Sequence, residues 1–378
     1  MPSYEILRVT WWLLLGILLA GFAVMDGFDF GACALLPFVG KTDPEKRIIL
    51  NAIGPTWEGN QVWLILGGGA IFAAWPLLYA VSFSGFYLAM LLVLLTLIIR
   101  PVGIKYRSKQ PDSRWRTSWD MALCFNGIVA PLLFGVAVGN VIQGVPFTLD
   151  DTMRSFYSGS FWALLNPFAL LCGLVSVSML IMQGGYFLAT KTHDPIRSRA
   201  RTVAKIAGLV TIVLFALGGI WVANFIEGYQ ITSAINHGGY SDPLSKTVSL
   251  HIGAWLTNYH LYPITLLAPI MGFGGCLLAM LLTPFKESRF SLVASSLAII
   301  GIVATVGVSM FPFLLPSSST PNVSLTVWDA SSSQLTLFIM LVATLIFMPI
   351  ILAYTSWVYY KLRGKVDTDF LRNNTTVY

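Results

Sequence analysis

The chain has 378 residues, 56% hydrophobic and 11% charged, with a mean hydropathy of +0.74 and a formal net charge of +6. A soluble domain carries about a quarter charged residues, so this composition excludes a soluble globular protein and leaves no separate soluble domain. The basic residues sit in short stretches between apolar runs rather than on one folded face, which excludes a nucleic-acid binder.

Charge-free windows mark the spans, each needing about 20 residues. The first runs from about Trp11 to Leu36. It follows Arg8, carries two aspartates and lacks a small-residue cleavage site, so it reads as a spanning helix and not as a cleaved signal. No charge occurs between Glu58 and Arg100, too long a stretch for one span. Trp75-Pro76 and Ser82-Phe83-Ser84-Gly85 break it into the second and third. The fourth is predicted at Trp119–Ile142, the fifth at Phe161–Leu188 with Asn166-Pro167 near its start, and the sixth at Ile206–Ile226. The seventh covers Tyr259–Leu282, the eighth Phe290–Phe311 and the ninth Leu335–Tyr359. The expected fold is all-α: one transmembrane helical domain over residues 1–378, with about nine membrane helices. Cys33, Cys124, Cys172 and Cys276 each stand alone in an apolar run, which suggests neither a thiolate metal site nor a disulfide framework.

Nine spans place 20 of the 23 lysines and arginines on one side. They follow the odd-numbered helices: Lys41, Lys46 and Arg47; Arg100 to Arg116; Lys191 to Lys205; Lys286 and Arg289; Lys361 to Arg372. Only Arg8, Arg154 and Lys246 fall on the other side. The positive-inside rule then puts the C-terminus in the cytoplasm and the N-terminus outside. The longer outer loops are roughly Glu227–Trp255 and Phe313–Gln334.

Four acids lie in or beside spans: Asp26, Asp29, Glu58 and Asp120. A charge at mid-helix depth costs about 2.5–3.5 kcal/mol on insertion scales, so such an acid is seldom idle. Asp29 lies about 18 Å from the inner end of helix one, at about 1.5 Å per residue. Asp26 is one turn further out on the same face. Glu58, Arg100 and Asp120 belong to the inner half. Acids spaced along a bundle interior and bridged by water relay protons, because removal from water lets a carboxyl hold a proton near neutral pH. A purely structural account instead pairs Arg100 with Asp120 or Asp29 and leaves Glu58 and Asp120 solvated near the headgroups. Trp57 and Trp63 read as interfacial anchors. The four histidines, His193, His237, His251 and His260, lie in or beside loops, so bis-histidine haem ligation by this chain is not expected.

Several strings resemble subunit II of the cytochrome bd quinol oxidases: Tyr4-Glu5-Ile6-Leu7-Arg8 with Trp11-Trp12, Asp26-Gly27-Phe28-Asp29, Trp57-Glu58-Gly59-Asn60-Gln61-Val62-Trp63 and Arg100-Pro101-Val102-Gly103. Further on, Phe311-Pro312-Phe313 and Leu325-Thr326-Val327-Trp328-Asp329 are similar too. The resemblance implies a multi-pass subunit of the bacterial cytoplasmic (inner) membrane, paired with subunit I and with small single-span accessory peptides. The complex oxidises quinol and reduces O2 to water. Haem b558, haem b595 and haem d are ligated by subunit I, and no metal is held by this chain. In some members a quinone with a structural role is bound in subunit II. Carried over by position, Glu58 resembles the mouth of the subunit II proton path, and Asp26 and Asp29 the acids of its first helix. Trp57, Arg100 and Asp120 fall where the family has residues affecting the haem d/b595 region or the subunit interface. The family's commonest string has Asp where this chain has Glu58, a longer arm that leaves relay chemistry intact. A proton-coupled secondary transporter is the alternative that membrane acids and Gly-interrupted helices also fit.

Overall fold

The computed structural model describes residues 1–284 and 288–367; Lys286 and Arg372, both counted on the basic side, lie outside them. In hydrocarbon every backbone polar group must bond within its own segment, so the apolar runs become helices. These are α1 (Tyr4–Met25), α2 (Gly27–Val39), α3 (Asp43–Ile53), α4 (Trp57–Ala74), α5 (Pro76–Gly85), α6 (Tyr87–Tyr106) and α7 (Ser113–Gln143). There follow α8 (Pro167–Lys191), α9 (Ile196–Asn224), the short α10 (Thr257–Leu261), α11 (Leu267–Leu282), α12 (Ser288–Met310) and α13 (Gln334–Lys361). Caps set several starts. The Asn166 side chain accepts from the Ala169 N–H at 2.9 Å, with Pro167 as the first helical residue, where a missing N–H costs nothing. Ser333 caps α13 in the same way, through the Thr336 N–H.

Eight helical spans among the described residues are long and apolar enough to cross a membrane, α1 and α2 counting as one. The predicted second span, α4, is not among them, because Glu58, Asn60 and Gln61 crowd its first turn. It nonetheless runs from end to end. Its start follows α3, and its last carbonyls, on Ala73 and Ala74, accept from the Ser332 hydroxyl at 2.6 Å and N–H at 2.8 Å. The break predicted between Glu58 and Arg100 opens at Trp75, but Pro76–Gly85, Ser82–Gly85 included, is itself helical as α5, and the chain turns again only at Phe86. The first predicted helix starts earlier than expected, at Tyr4, and is interrupted at Asp26.

The end that carries the N-terminus is capped by three short antiparallel ribbons: β1–β2 (Phe147–Leu149, Ser155–Tyr157), β3–β4 (Glu227–Ile231, Val248–Ile252) and β5–β6 (Phe313–Leu315, Leu325–Thr326). Arg8, counted on the outer side, is buried there. It donates to the carbonyls of His237 (2.6 Å) and Gly239 (3.1 Å) and to the Ser241 hydroxyl (2.9 Å). Lys246 is buried against Asp329 at 2.8 Å. Burial pushes the Asp329 carboxyl up and the Lys246 ammonium down from their ordinary values, and their mutual attraction opposes both shifts.

The opposite end holds the basic segments. The stretch after helix one, read as loop, contains α3, an amphipathic helix whose Ile48, Ile49, Leu50 and Ile53 are buried. Glu45 of its first turn accepts from the N–H groups of Lys41 (2.7 Å) and Thr42 (3.3 Å), a capping-box arrangement. Both Glu45 oxygens also accept from Arg199 of α9, at 2.8 and 2.9 Å. The Arg199 hydrogen bonds and the two backbone N–H groups hold the Glu45 carboxyl at about 2. A depressed carboxylate stabilises the fold above its unfolded pKa, and that contribution disappears as pH falls through its folded value. The α3–α9 contact is therefore expected to loosen between about pH 4.5 and pH 2. Hydrogen exchange over residues 43–53 should accelerate in that window, and Glu45→Gln should abolish the pH step.

Candidate functional site

Two buried charge clusters occupy the half of the bundle nearer the basic end. The first is built on the α1–α2 break. Asp26 closes α1, its N–H donating to the Phe22 carbonyl at 2.9 Å, while its own carbonyl accepts from Asp29 and Phe30, both at 3.1 Å. The helix thus resumes after one residue and points both carboxylates inward; Asp26 and Asp29 are fully buried. Arg100 of α6 donates to both Asp26 oxygens, through Nη1 to Oδ1 and through Nη2 to Oδ2 at 3.0 Å. Its guanidinium lies 4.1 Å from the Phe30 ring centre and 5.7 Å from that of Trp57, positions where a ring face attracts a cation. Trp57 is buried, and its Nε1, like Arg100 Nε, has no hydrogen-bond partner among the described residues.

Asp29 is placed differently. Its Oδ2 accepts from Asn60 Nδ2 of α4 at 2.7 Å, and Asn60 Oδ1 accepts from the Tyr359 hydroxyl of α13 at 2.7 Å. Its Oδ1 is buried without a hydrogen-bond partner among the described residues. The cluster therefore holds one fully matched ion pair beside one carboxyl with an open oxygen.

The second cluster centres on Asp120 of α7. Arg107 donates to it through Nε (2.7 Å) and Nη2 (3.2 Å), and Lys46 of α3 through Nζ (2.9 Å). Arg107 also reaches Asp43 at 2.7 Å, which Arg116 reaches at 2.9 Å. Two expectations are corrected here. Arg100 pairs with Asp26, not with Asp120 or Asp29, because α6 presents Arg100 to the helix break. Asp120 is not solvated near headgroups but only 2% exposed, because α3 and the turn after α6 close over it. In the sequence Arg107 and Lys46 stand out only as charges of the basic side, and Asp43 does not stand out at all. One signal was available for Arg107: it lies two turns beyond Arg100 on the same helical face.

Glu58 is brought into neither cluster. It is exposed on this chain (63%) and paired with the half-exposed Lys105 at 3.0 Å. Trp57, Arg100 and Asp120 are all buried within the chain, so their side chains do not form its outer surface. No group of three or more His, Cys, Asp or Glu able to hold a metal occurs among the described residues. All four histidines are exposed, and none fits an axial haem ligand inside the bundle.

The arrangement defines a polytopic helical membrane protein with compensated and uncompensated acids buried in its first helices. Residues 7–362 match the family model described as cytochrome bd terminal oxidase subunit II. The chain is 49% identical over 375 residues to cytochrome bd-I ubiquinol oxidase subunit 2 of Escherichia coli (strain K12), covering 99% of each. It is 48% identical to a probable cytochrome oxidase subunit 2 of Haemophilus influenzae, again over 99% of each chain, and 30% identical to cytochrome bd ubiquinol oxidase subunit 2 of Bacillus subtilis, over 96% and 97%. The bd oxidase structure from Geobacillus thermodenitrificans shares the fold, with a TM-score of 0.70 at 14% identity over 93% of this chain and 97% of that one. The chain belongs to the cytochrome bd terminal oxidase subunit II family. It is a multi-pass protein of the bacterial inner membrane and a member of an oxidase complex that contains haem and a subunit I. The transporter alternative is not favoured by these matches.

Proposed function

We propose that residues 1–378 form one membrane unit that carries protons from the cytoplasm toward the oxygen-reducing haems of subunit I. In this reading the basic end faces the cytoplasm, as the distribution of lysine and arginine supports. Subunit I ligates haems b558, b595 and d. Quinol oxidation releases protons outside and O2 reduction consumes them from inside, so a gradient forms without pumping. Glu58, exposed beside Lys105, is the entry. Asp29 is the buried carrier, and the observation that carries the proposal is its open Oδ1. A carboxylate oxygen without a donor is an available proton acceptor. The neighbouring Asp26 is already committed to Arg100 on both oxygens and shapes the path without being its freest acceptor. Trp57, Arg100 and Asp120 support the haem region by fixing α4, α6 and α7 in place, since their side chains are turned inward.

The test is Asp29→Asn in the assembled oxidase. Haem absorbance should match the parent, while quinol-dependent oxygen uptake should fall about tenfold or more, the scale of losing a proton-transfer group. Parental turnover at parental haem content would remove Asp29 from the route.

A further inference from the structure

We infer that Tyr359 is a positioning residue for Asp29: its phenol fixes the Asn60 carboxamide so that Asp29 exchanges its proton only at Oδ1. The inference rests on the reading of Asp29 as a proton carrier and adds a residue that sequence reasoning did not single out.

The geometry is a three-residue chain from three helices, Tyr359 O–H to Asn60 Oδ1 and Asn60 Nδ2–H to Asp29 Oδ2, each at 2.7 Å. An asparagine carboxamide has one accepting end and one donating end. A half-turn about Cβ–Cγ exchanges the two with little change of shape. An ionised carboxylate only accepts, so it calls for the NH2 end. The phenol donates to the oxygen end and opposes the half-turn. Asp29 Oδ2 therefore keeps a permanent donor, and Oδ1 is the one carboxylate oxygen left for a proton. One proton enters and leaves at Oδ1, and Asn60 and Tyr359 keep their own protons throughout. The titratable and charged groups around Asp29 are Asp26, Arg100, Cys33 and Tyr359, and the Thr56 hydroxyl also faces the phenol. Helix α13 buries only Leu337 fully, so Tyr359 is a specific tie from an otherwise peripheral helix into the acid cluster.

Without the phenol, Asn60 is free to turn its oxygen toward Asp29. The proton then gains a second resting place, on Oδ2 and hydrogen-bonded to the Asn60 oxygen, and its onward transfer slows. Tyr359→Phe in the complete oxidase is expected to retain parental haem spectra, lower turnover at least about threefold and displace the pH–activity profile. The infrared carbonyl band of protonated Asp29, identified by its loss in Asp29→Asn, is expected to shift or split. Asn60→Ala, which removes the middle member of the chain and leaves the Tyr359 side chain itself unchanged, should displace the same band. Combining the two substitutions should add little, because they interrupt one chain. If Tyr359→Phe leaves the band and the profile unmoved while Asp29→Asn still lowers turnover, the positioning role is wrong and the carrier role stands. If Asp29→Asn itself is silent, the underlying reading has failed. Should Tyr359→Phe not assemble, an unmoved band in Asn60→Ala overturns the inference by itself.

Discussion

Replacing Arg100 with leucine is expected to prevent accumulation of a stable, haem-loaded oxidase. Arg100 and Asp26 are both fully buried and joined through both carboxylate oxygens. Removing one member of such a pair leaves an unpaired charge in a low-dielectric interior and costs about 3–5 kcal/mol. That is a large share of the roughly 5–15 kcal/mol by which a domain is stable. Asp26→Asn is expected to do similar damage from the other side, by orphaning the guanidinium. The double variant, Asp26→Asn with Arg100→Leu, removes both charges and should recover much of the lost stability, since neutral replacements of buried ion pairs are often tolerated. Arg100→Lys should fall between. A lysine keeps the charge but cannot bond both oxygens in parallel or lie flat between Phe30 and Trp57. The readout is the temperature at which the purified complex loses its haem absorbance, together with yield. If Arg100→Leu is as stable as the parent and the double variant is no better, the pair is not held by charge.

The chain's spans were legible because the bilayer imposes a length and a composition on every crossing, and the break at Trp75-Pro76 was visible in the same way; that Pro76–Gly85 forms a helix of its own was not. Pairing was not legible. Asp26 and Arg100 are 74 positions apart, and their helices are apolar nearly all round, so periodicity does not mark which face meets which. That Asp26 and Asp29 lie inside the bundle was readable, but their different hydrogen-bond partners were not, because these depend on α4 and α13 delivering Asn60 and Tyr359 to one of them. Helix α3 was readable and missed: Thr42-Asp43-Pro44-Glu45 ahead of Ile48-Ile49-Leu50 is a capping box with proline in the first turn. Glu58 is a different case. Its position at a helix start was right, but its exposure depends on how α4 is rotated, which its glycine-rich sequence leaves unmarked.

Gly31→Ala is expected to destabilise the complex severely, and Gly31→Val more so. The clusters depend on α2 lying very close to its neighbours. A Cβ at Gly31 would stand 2.1 Å from the Leu180 carbonyl oxygen, and one at Gly184 would stand 2.4 Å from the Gly31 carbonyl carbon. On the other side of α2, a Cβ at Gly127 would stand 2.3 Å from the Ala34 nitrogen. The opposing atoms are backbone, so no rotamer change relieves the clash and the helices must separate. Overpacking a well-filled core costs about 1–3 kcal/mol and occasionally more, and contact with rigid backbone belongs at the upper end. Separation of α2 from α8 would also carry Asp26 and Asp29 away from Arg100 and Asn60, so assembly and turnover should fall together. Gly219→Ala is the control. It lies in α9, where a Cβ meets nothing within 4 Å, and alanine favours helix over glycine by about 1 kcal/mol. Thermal loss of haem absorbance should occur well below the parental temperature for Gly31→Ala and at or above it for Gly219→Ala. Equal transitions for the two variants would mean that close approach of α2 and α8 does not hold the acid cluster in place.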